Sequence, residues 1–587
     1  MRWSLDELYT GFDSDQYNSD LERLSKLIKG FEKWSEKELN LEGDIVTLLE
    51  DYIKFSIEIR TTFSRLSSFA SLSSAVNARD EVALQEMDKI IMMATELTKP
   101  QVNFKKFIKE IDSLDGFIGK SNLLEEHRFI LEEIKQETQY LLSEKEEVLI
   151  SKMRTTGSNA WSNLQNKISS TLMVDIVLDG KEQTLPLPVV RNLAYNENAK
   201  IRQVAYFAEL EAYKKIEESS SAALNSIKGE VITLAEIRGY SSPLEETLIQ
   251  SRMDKETLDT MLGAMEEFLP VFHKFFRKKA ELLGHNDGLP FYDLFAPIGE
   301  ADTSFTYPEA MEYIIGNFNK FSSKLGNFTK EAYEKNWLDV EPREGKRGGA
   351  FCSNLHPIGE SRVLSNFNGS FSNMITLSHE LGHAYHGSTL MDESILNSSY
   401  PMPIAETASI FCETLVKNAA LEEASREEKI NILENSITDA AQVIVDIYSR
   451  YLFETNLFET RKSHPLSIDE LKEYMLDAQK KAYGDGLDHD ILHPYMWLNK
   501  THYYSAGRNF YNFPYAFGLL FSKGLYSEYL KDKEKFVAEY DELLSATGKN
   551  SIEDIALKMD IDVHDPKFFR DSLKIIEEDI EEFISLT

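Results

Sequence analysis

The feature that most restricts the fold is the scarcity of helix-breaking residues in the first third of the chain. Between residues 1 and 170, proline occurs only at Pro100, and neither glycine nor proline lies between Asp44 and Pro100. Apolar residues recur there at the spacing of an amphipathic helix. The sequence therefore predicts long antiparallel helices, with turns near Pro100 and between Gly116 and Gly119.

Two short segments interrupt this helical pattern. Residues 171–188 hold two runs of β-forming residues on either side of Asp179-Gly180, and such a dipeptide is a strong hairpin signal. Further along, the runs Gly349–Ser353 and Arg362–Phe367 have the composition of a second hairpin. We therefore predict a mainly α fold that carries small β-hairpins.

The charge balance restricts the class of partner. The net charge is −34, which disfavours binding to phosphate backbones and to anionic membranes. The two cysteines, Cys352 and Cys412, form no disulfide framework and are expected to be small core residues in a reducing compartment. We find neither a signal peptide nor an apolar run long enough to cross a membrane. We therefore expect a cytoplasmic protein that binds neither nucleic acid nor membranes.

The strongest chemical signal is a His-Glu-x-x-His motif formed by His379, Glu380 and His383. Two histidines four residues apart lie about 40° apart around a helix, so both imidazoles can reach one zinc ion. Glu380 lies about 100° from His379, beside the metal, where it can act as the base that activates a zinc-bound water. The motif therefore predicts a catalytic zinc site.

A catalytic zinc needs a third protein ligand and an open position. In the metzincin class this ligand is a histidine six residues after the second one, but that position is Thr389 here. An acidic residue must then complete the site, and the candidates are Asp392, Glu393, Glu406 and Glu413. The last two are seven residues apart on the helix expected after Pro401, so one can bind zinc while the other orients a ligand histidine. The spacing leaves these two roles open.

The segment from His379 to His386, followed by Pro403–Glu413, resembles the oligoendopeptidase F family of thimet-oligopeptidase-like zinc peptidases. The resemblance is specific over residues 195–580 and looser over the N-terminal helices. It also extends to Phe291–Pro297, Gly345–Phe351, Leu364–Phe367 and His502–Tyr515. It implies that Glu406 is the third zinc ligand and that Glu413 is a carboxylate supporting a ligand histidine.

The same resemblance implies a two-lobed, largely helical fold that encloses a deep substrate channel. We expect an N-terminal helical region at 1–190, ending in the first hairpin, and a catalytic zinc metallopeptidase domain at 191–587. His502, Tyr511 and Tyr515 are then the candidate donors to the oxyanion of the reaction. The implied activity is that of a zinc-dependent endopeptidase, with one zinc ion per chain, which hydrolyses internal bonds of short peptides.

Two other functions stay open at this point. A zinc aminopeptidase or dipeptidase would need an anchor for the substrate terminus, and no such anchor is identifiable. A non-catalytic peptide-binding helical protein would not need Glu380, which is present. Two local features also have alternative interpretations. His386 is expected to pack or to support a ligand, and the strand at Arg362–Phe367 either pairs with substrate backbone or is an ordinary buried hairpin. The sequence does not specify the oligomeric state.

Overall fold

The regular structure of the chain is mainly α-helical. The computed structural model describes residues 1–299 and 304–587. The helices of the first half are α1 Asp15–Lys37, α2 Ile45–Val76, α3 Glu81–Thr95, α4 Thr98–Lys109, α5 Asp115–Ile118, α6 Asn122–Glu126, α7 Arg128–Glu137, α8 Glu144–Thr156, α9 Ser158–Ser170, α10 Leu187–Asn192, α11 Ala199–Tyr213, α12 Glu217–Arg238, α13 Pro243–Gln250 and α14 Lys255–Leu282. Those of the second half are α15 Tyr307–Phe321, α16 Ser323–Glu334, α17 Phe371–Thr389, α18 Met402–Ala405, α19 Thr407–Glu423, α20 Arg426–Ala441, α21 Ile447–Arg461, α22 Ile468–Tyr483, α23 Met496–Asn499, α24 Phe513–Lys531, α25 Lys533–Ser545, α26 Ile552–Leu557 and α27 Pro566–Leu586. The predicted fold class is confirmed.

The chain forms two compact units that interleave along the sequence. Unit 1 consists of Met1–Leu141, Thr303–Ala419 and Glu528–Ile561, and unit 2 consists of Leu142–Asp302, Ala420–Ser527 and Asp562–Thr587. These units are defined by spatial contacts, whereas the predicted division at residues 190 and 191 separates sequence regions. That division stays a prediction.

The breaker-free segment near the N-terminus forms α2 and α3. Asp44 caps α2 by accepting a hydrogen bond from the backbone of Val46, and Asp80 caps α3 in the same way through Ala83. The predicted turn near Pro100 lies slightly earlier, because Pro100 is within the first turn of α4. A proline is tolerated there, since its missing N–H would have no intrahelical partner.

Both predicted hairpins are present. The strands β1 (Met173–Leu178) and β2 (Lys181–Pro186) pair antiparallel around Asp179 and Gly180, which both have positive φ angles, as a tight two-residue turn requires. The second hairpin, in unit 1, pairs β4 (Phe351–Leu355) with β5 (Glu360–Leu364).

The strand β3 (Leu338–Asp339) changes the interpretation of the second hairpin. It pairs parallel with β5, so the strand order is β3-β5-β4. Both sides of β5 are therefore occupied, and Arg362 is buried with its guanidinium on Glu7 and Glu360. The idea that Arg362–Phe367 offers an edge for pairing with substrate backbone is wrong. The two edge strands of this sheet are β4 and the two-residue β3.

Each unit has its own apolar core. In unit 1, a cluster rich in aromatic residues packs the N-terminal helices against one another and includes Leu355 of β4. In unit 2, a cluster around Trp497, Tyr503 and Tyr504 packs α11, α12, α21 and α22 against the first hairpin. Among the described residues, no helix combines the length and the apolar character that a membrane span requires.

Candidate active site

The His-Glu-x-x-His motif lies on α17, in unit 1. Ser370 caps this helix by accepting a hydrogen bond from the backbone N–H of Asn373. Leu377 and Leu381 are fully buried, which fixes one face of the helix against the core. The side chains of His379 and His383 keep exposed fractions of 23% and 18%. Core packing therefore directs the two histidines away from the buried face.

The donor atoms of His379, His383 and Glu406 converge on one point. The two Nε2 atoms lie 3.1 Å apart, and the Glu406 Oε2 atom lies 3.3 Å from that of His379 and 3.4 Å from that of His383. A tetrahedral zinc ion with bonds of about 2.0–2.1 Å separates its ligand atoms by about 3.3 Å. The spacing and the chemistry of these three donors therefore fit zinc.

Glu406 lies in a break between two helices. The sequence predicts one helix through Glu406 and Glu413, but α18 ends at Ala405 and α19 begins at Thr407. The break turns the Glu406 carboxylate toward the histidines, and the Ser409 hydroxyl donates to it at 2.7 Å. The two glutamates thus approach the histidines from separate positions instead of sharing one helical face.

Each histidine of the cluster is oriented by a hydrogen bond from its ring. His379 donates from Nδ1 to the Glu413 carboxylate at 2.9 Å, so its Nε2 atom faces the other donors. The His383 ring is bonded to the carbonyl oxygen of Ala405. Such partners fix the orientation and tautomer of an imidazole, and they strengthen it as a metal ligand.

A glycine between the two histidines allows the second motif to come close. A Cβ atom on Gly382 would lie 2.6 Å from the carbonyl oxygen of Ala408 and 2.7 Å from the Cα of Ser409. Both contacts are with backbone, which cannot move aside as a flexible side chain can. The start of α19 therefore reaches α17 only because residue 382 has no side chain.

Burial and neighbouring charges shift the pKa values in this cluster. Burial raises the pKa of Glu380 to about 7, although the nearby His379 opposes the shift. Burial also lowers the pKa of His383 to about 4. For His379 burial acts in the same direction, but the hydrogen bond to Glu413 and the surrounding carboxylates outweigh it and raise the pKa to about 9. A metal bound at His379 must displace that proton.

Glu380 faces the edge strand of the small sheet. Its carboxylate accepts a hydrogen bond from the backbone N–H of Cys352 on β4. The Cys352 thiol is half-buried, and burial raises its pKa well above the usual value, as expected for an inert residue. Cys412 is buried as well. Neither thiol has the lowered pKa of a nucleophile.

Other residues near the motif have structural partners. His386 is fully buried, bonds through Nε2 to the Thr547 hydroxyl at 2.8 Å and stacks on the Tyr400 ring. Its neighbour Tyr385 donates to Asp541 at 2.5 Å. These bonds favour a packing role for His386, and they tie α17 to the last segment of unit 1. Glu393, one of the acidic candidates, is paired with Lys549 at 2.6 Å.

His502, Tyr511 and Tyr515 lie together in unit 2. The rings of His502 and Tyr511 stack at 4.6 Å, and the Tyr515 hydroxyl donates to the Tyr511 hydroxyl at 3.3 Å. All three side chains are partly exposed. The Nδ1 atom of His502 is buried and has no hydrogen-bond partner among the described residues.

A buried polar network that sequence reasoning missed holds the loop before Tyr511. Lys228 on α12 donates to Glu454 at 2.8 Å and to the Asn509 side chain at 2.9 Å. Glu454 in turn accepts from the backbone N–H of Phe510, whose φ angle is 50°. This φ value is costly for an aromatic residue, so the network maintains the turn that presents Tyr511. Nothing in the neighbouring sequence distinguishes Lys228 or Glu454 from the exposed charged residues of their helices.

Comparisons with known proteins assign the chain to a peptidase family. A model of peptidase family M3 matches residues 192–575, and a model described as oligopeptidase F matches residues 110–173. The oligopeptidase PepF of Bacillus subtilis is 25% identical over 595 residues, covering 100% of this chain and 87% of that protein. The oligoendopeptidase F homolog of Borreliella burgdorferi is 23% identical over 562 residues, covering 93% and 91%.

Solved structures share the fold. The crystal structure of oligoendopeptidase-F from Enterococcus faecium superposes with a TM-score of 0.71 at 18% identity, covering 97% of this chain and 99% of that one. A crystal structure from Chlamydophila abortus gives a TM-score of 0.86 at 20% identity, covering 100% and 98%. At these identities the superpositions establish the architecture alone.

Proposed function

Because the chain belongs to peptidase family M3, we propose that it is a zinc-dependent endopeptidase that hydrolyses internal bonds of short peptides. His379, His383 and Glu406 would hold one zinc ion, with Glu413 orienting His379. The observation that carries the proposal is the convergence of three donor atoms within 3.1–3.4 Å of one another beside a buried glutamate. The resemblance to the oligoendopeptidase F family, which the family models and the named relatives bear out, supports the substrate class.

Zinc and Glu380 would have different roles in the reaction. Zinc, when bound, is a Lewis acid that lowers the pKa of water from 15.7 to about 7 and polarises a carbonyl oxygen. Glu380 accepts the proton of the attacking water as the new C–O bond forms at the peptide carbonyl. It then delivers that proton to the amide nitrogen as the C–N bond breaks, so atoms and charge balance. Without metal, burial raises the pKa of Glu380 to about 7, and a nearby zinc charge would lower it, so the carboxylate would be ionised and able to accept a proton at neutral pH.

The peptide backbone is proposed to bind along β4. This strand is the longer of the two edge strands of its sheet, and it passes Glu380, which accepts a hydrogen bond from the Cys352 N–H. Pairing through main-chain groups holds peptides with little regard to sequence. Peptides N-methylated at single positions next to the cleaved bond should therefore show raised KM values, and uniform KM values across such a series would exclude strand addition.

His502, Tyr511 and Tyr515 are proposed as donors to the oxyanion. Two phenol hydroxyls and an imidazole in one partly exposed cluster supply hydrogen-bond donors of the type that stabilises a tetrahedral intermediate. The unsatisfied Nδ1 atom of His502 is a further polar group for which the free protein offers no partner among the described residues.

The test is the hydrolysis of a peptide pool in which both termini are blocked, followed by mass spectrometry of the products. We expect internal cleavage, its loss on treatment with a zinc chelator, and its recovery when zinc is returned. Hydrolysis that survives removal of the metal would contradict the zinc assignment. Blocked peptides that stay intact while free peptides lose terminal residues would instead identify an exopeptidase.

A further inference from the structure

Unit 2 contains a cavity of about 320 Å³ that the peptidase chemistry does not use. Its walls come entirely from unit 2, and no member of the metal cluster lines it. Much of the wall is aromatic, formed by Tyr206, Phe276, Phe291 and Phe295. Both the volume and the apolar lining are those of pockets that bind small molecules.

One side of the cavity is built from an irregular helix. Residues Gln442–Asp446 form a π-helical segment between α20 and α21, and both of its terminal residues line the cavity. A π-turn loses the regular hydrogen-bond ladder of an α-helix, and such segments occur frequently at functional sites. Here it places an amide and a carboxylate on a wall that is otherwise largely apolar.

The acidic side chains at this wall already have cationic partners. Arg191 pairs with Glu209 at 3.4 Å, and Glu209 also accepts from the Tyr213 hydroxyl at 2.7 Å. Asp446 is bonded to Arg450. The carboxylates of the wall are therefore neutralised by the arginines.

Arg202 also lines the cavity, and it is paired with the buried Asp293 at 2.7 Å. Its Nη1 group donates to two backbone carbonyl oxygens, and Asp293 is bonded to His285 as well. The charge of Arg202 is therefore balanced by a carboxylate of the protein. Among the cationic side chains that line the cavity, this leaves one lysine to be considered.

Lys500 is that remaining cation. It lines the cavity, and among the described residues its ammonium forms no hydrogen bond and no ion pair. Burial lowers the pKa of this ammonium to about 8, and the charge of Arg450 adds to that effect. At neutral pH the group still carries its charge, so a half-buried cation without a partner faces an aromatic cavity. An anion brought there would repay part of the desolvation cost.

We propose that this cavity binds a small monocarboxylate with an aromatic or branched apolar body, with the carboxylate on Lys500. One unpaired cation matches one negative charge, and the aromatic walls match an apolar side chain. Both the C-terminal residue of a short peptide and a simple aryl carboxylic acid present this chemistry. Occupancy of the site does not require zinc or hydrolysis, so the proposal is independent of the peptidase activity.

The experiment measures binding to the full-length enzyme by titration calorimetry at pH 7, with and without a zinc chelator. The probes are N-acetyl-L-phenylalanine, its neutral amide and 3-phenylpropionate. The variants are Lys500→Gln and Lys500→Arg, and the control is Lys214→Gln, an exposed lysine of the same unit. Thermal unfolding of each variant checks that it is folded.

We expect the acid to bind at least tenfold more tightly than its amide, whether or not zinc is present. Lys500→Gln should weaken the acid at least tenfold, while Lys500→Arg and Lys214→Gln stay within about threefold of the parent. Equal binding of 3-phenylpropionate would identify simple aryl acids as ligands, and its failure would identify the peptide terminus. Acid affinity that is unchanged in Lys500→Gln, equal to that of the amide, or dependent on zinc would overturn the proposal.

Discussion

The metal cluster of unit 1 and the His502–Tyr515 segment of unit 2 are organised by opposite means. In the metal cluster, each proposed ligand is held by a nearby partner: Glu413 for His379, Ala405 for His383 and Ser409 for Glu406. In unit 2, the Nδ1 atom of His502 is buried and has no hydrogen-bond partner among the described residues. The proposed ligands are thus oriented by protein partners, whereas the His502 ring has hydrogen-bonding capacity left for a ligand.

Because the two regions are held in different ways, substitutions should affect them differently. The geometry of the metal cluster depends on helix periodicity within α17 and on the close approach of Gly382 to the backbone at the start of α19. The geometry of the other segment depends on Lys228 and Glu454, which are far from it in sequence. Changes in unit 1 should therefore act on metal and chemistry, and changes in the unit 2 network should act on folding and turnover.

The largest effect is expected for Glu380→Gln. The amide cannot take a proton from water, so kcat should fall by about 10²–10⁴-fold, the range for loss of a general base. Zinc content, measured by mass spectrometry of the purified protein, should stay at one ion per chain, because Glu380 is not a ligand. A variant that retains a tenth of the activity would show that another group acts as the base.

Next in size is the stability cost of Lys228→Met. This change leaves Glu454 buried without its cation, and breaking such a pair costs about 3–5 kcal/mol of unfolding free energy, measured in urea. The double variant Lys228→Met/Glu454→Leu is the matched control, because removing both charges should recover most of that loss. A single variant as stable as the parent would show that the network does not stabilise the turn at Phe510.

Tyr511→Phe should lower kcat by about 10²–10³-fold with little change in KM, as expected when one oxyanion donor is removed. Steady-state kinetics on a quenched fluorescent peptide measures both constants. Tyr503→Phe in the same segment is the control, since its buried hydroxyl has no partner among the described residues. Equal effects of the two changes would mean that Tyr511 serves packing and not the reaction.

The smallest effect concerns Glu413→Gln. The amide keeps a hydrogen bond to His379 but loses the charge that strengthens it as a ligand, so zinc affinity should fall by about 10–100-fold. Competition with a fluorescent chelator gives that affinity, and activity should return at high zinc concentration. Activity that does not return at high zinc concentration would mean that Glu413 takes part in the chemical step. It would then do more than orient His379.

Local patterns predicted much of this molecule. The breaker-free helices, the turn at Asp179-Gly180 and the facing of His379 with His383 all follow from the geometry of a few consecutive residues. The break at Glu406 was missed because Pro403 and the apolar residues after it are equally compatible with one continuous helix.

Features that depend on distant residues were not accessible in this way. The pairing of β3 with β5 joins segments that are more than twenty residues apart, and it makes β5 the central strand of the sheet. The role of Lys228 depends on α21 and on the loop before Tyr511, and no local signal in α12 reveals it. The spacing of Glu406 and Glu413 does not tell which of them binds zinc and which orients a histidine, because either assignment fits two residues seven apart. Only the resemblance to the family indicated which residue has which role.

The attachment of α17 to the last segment of unit 1 has a consequence for biosynthesis. Tyr385 and His386 bond to Asp541 and Thr547, which leave the ribosome long after the metal-binding residues. At roughly 5–20 residues per second, on the order of ten seconds separates the appearance of Glu413 from that of Thr547. During this interval the nascent chain carries both histidines of α17 without the contacts to Asp541 and Thr547 that tie this helix to the last segment of unit 1.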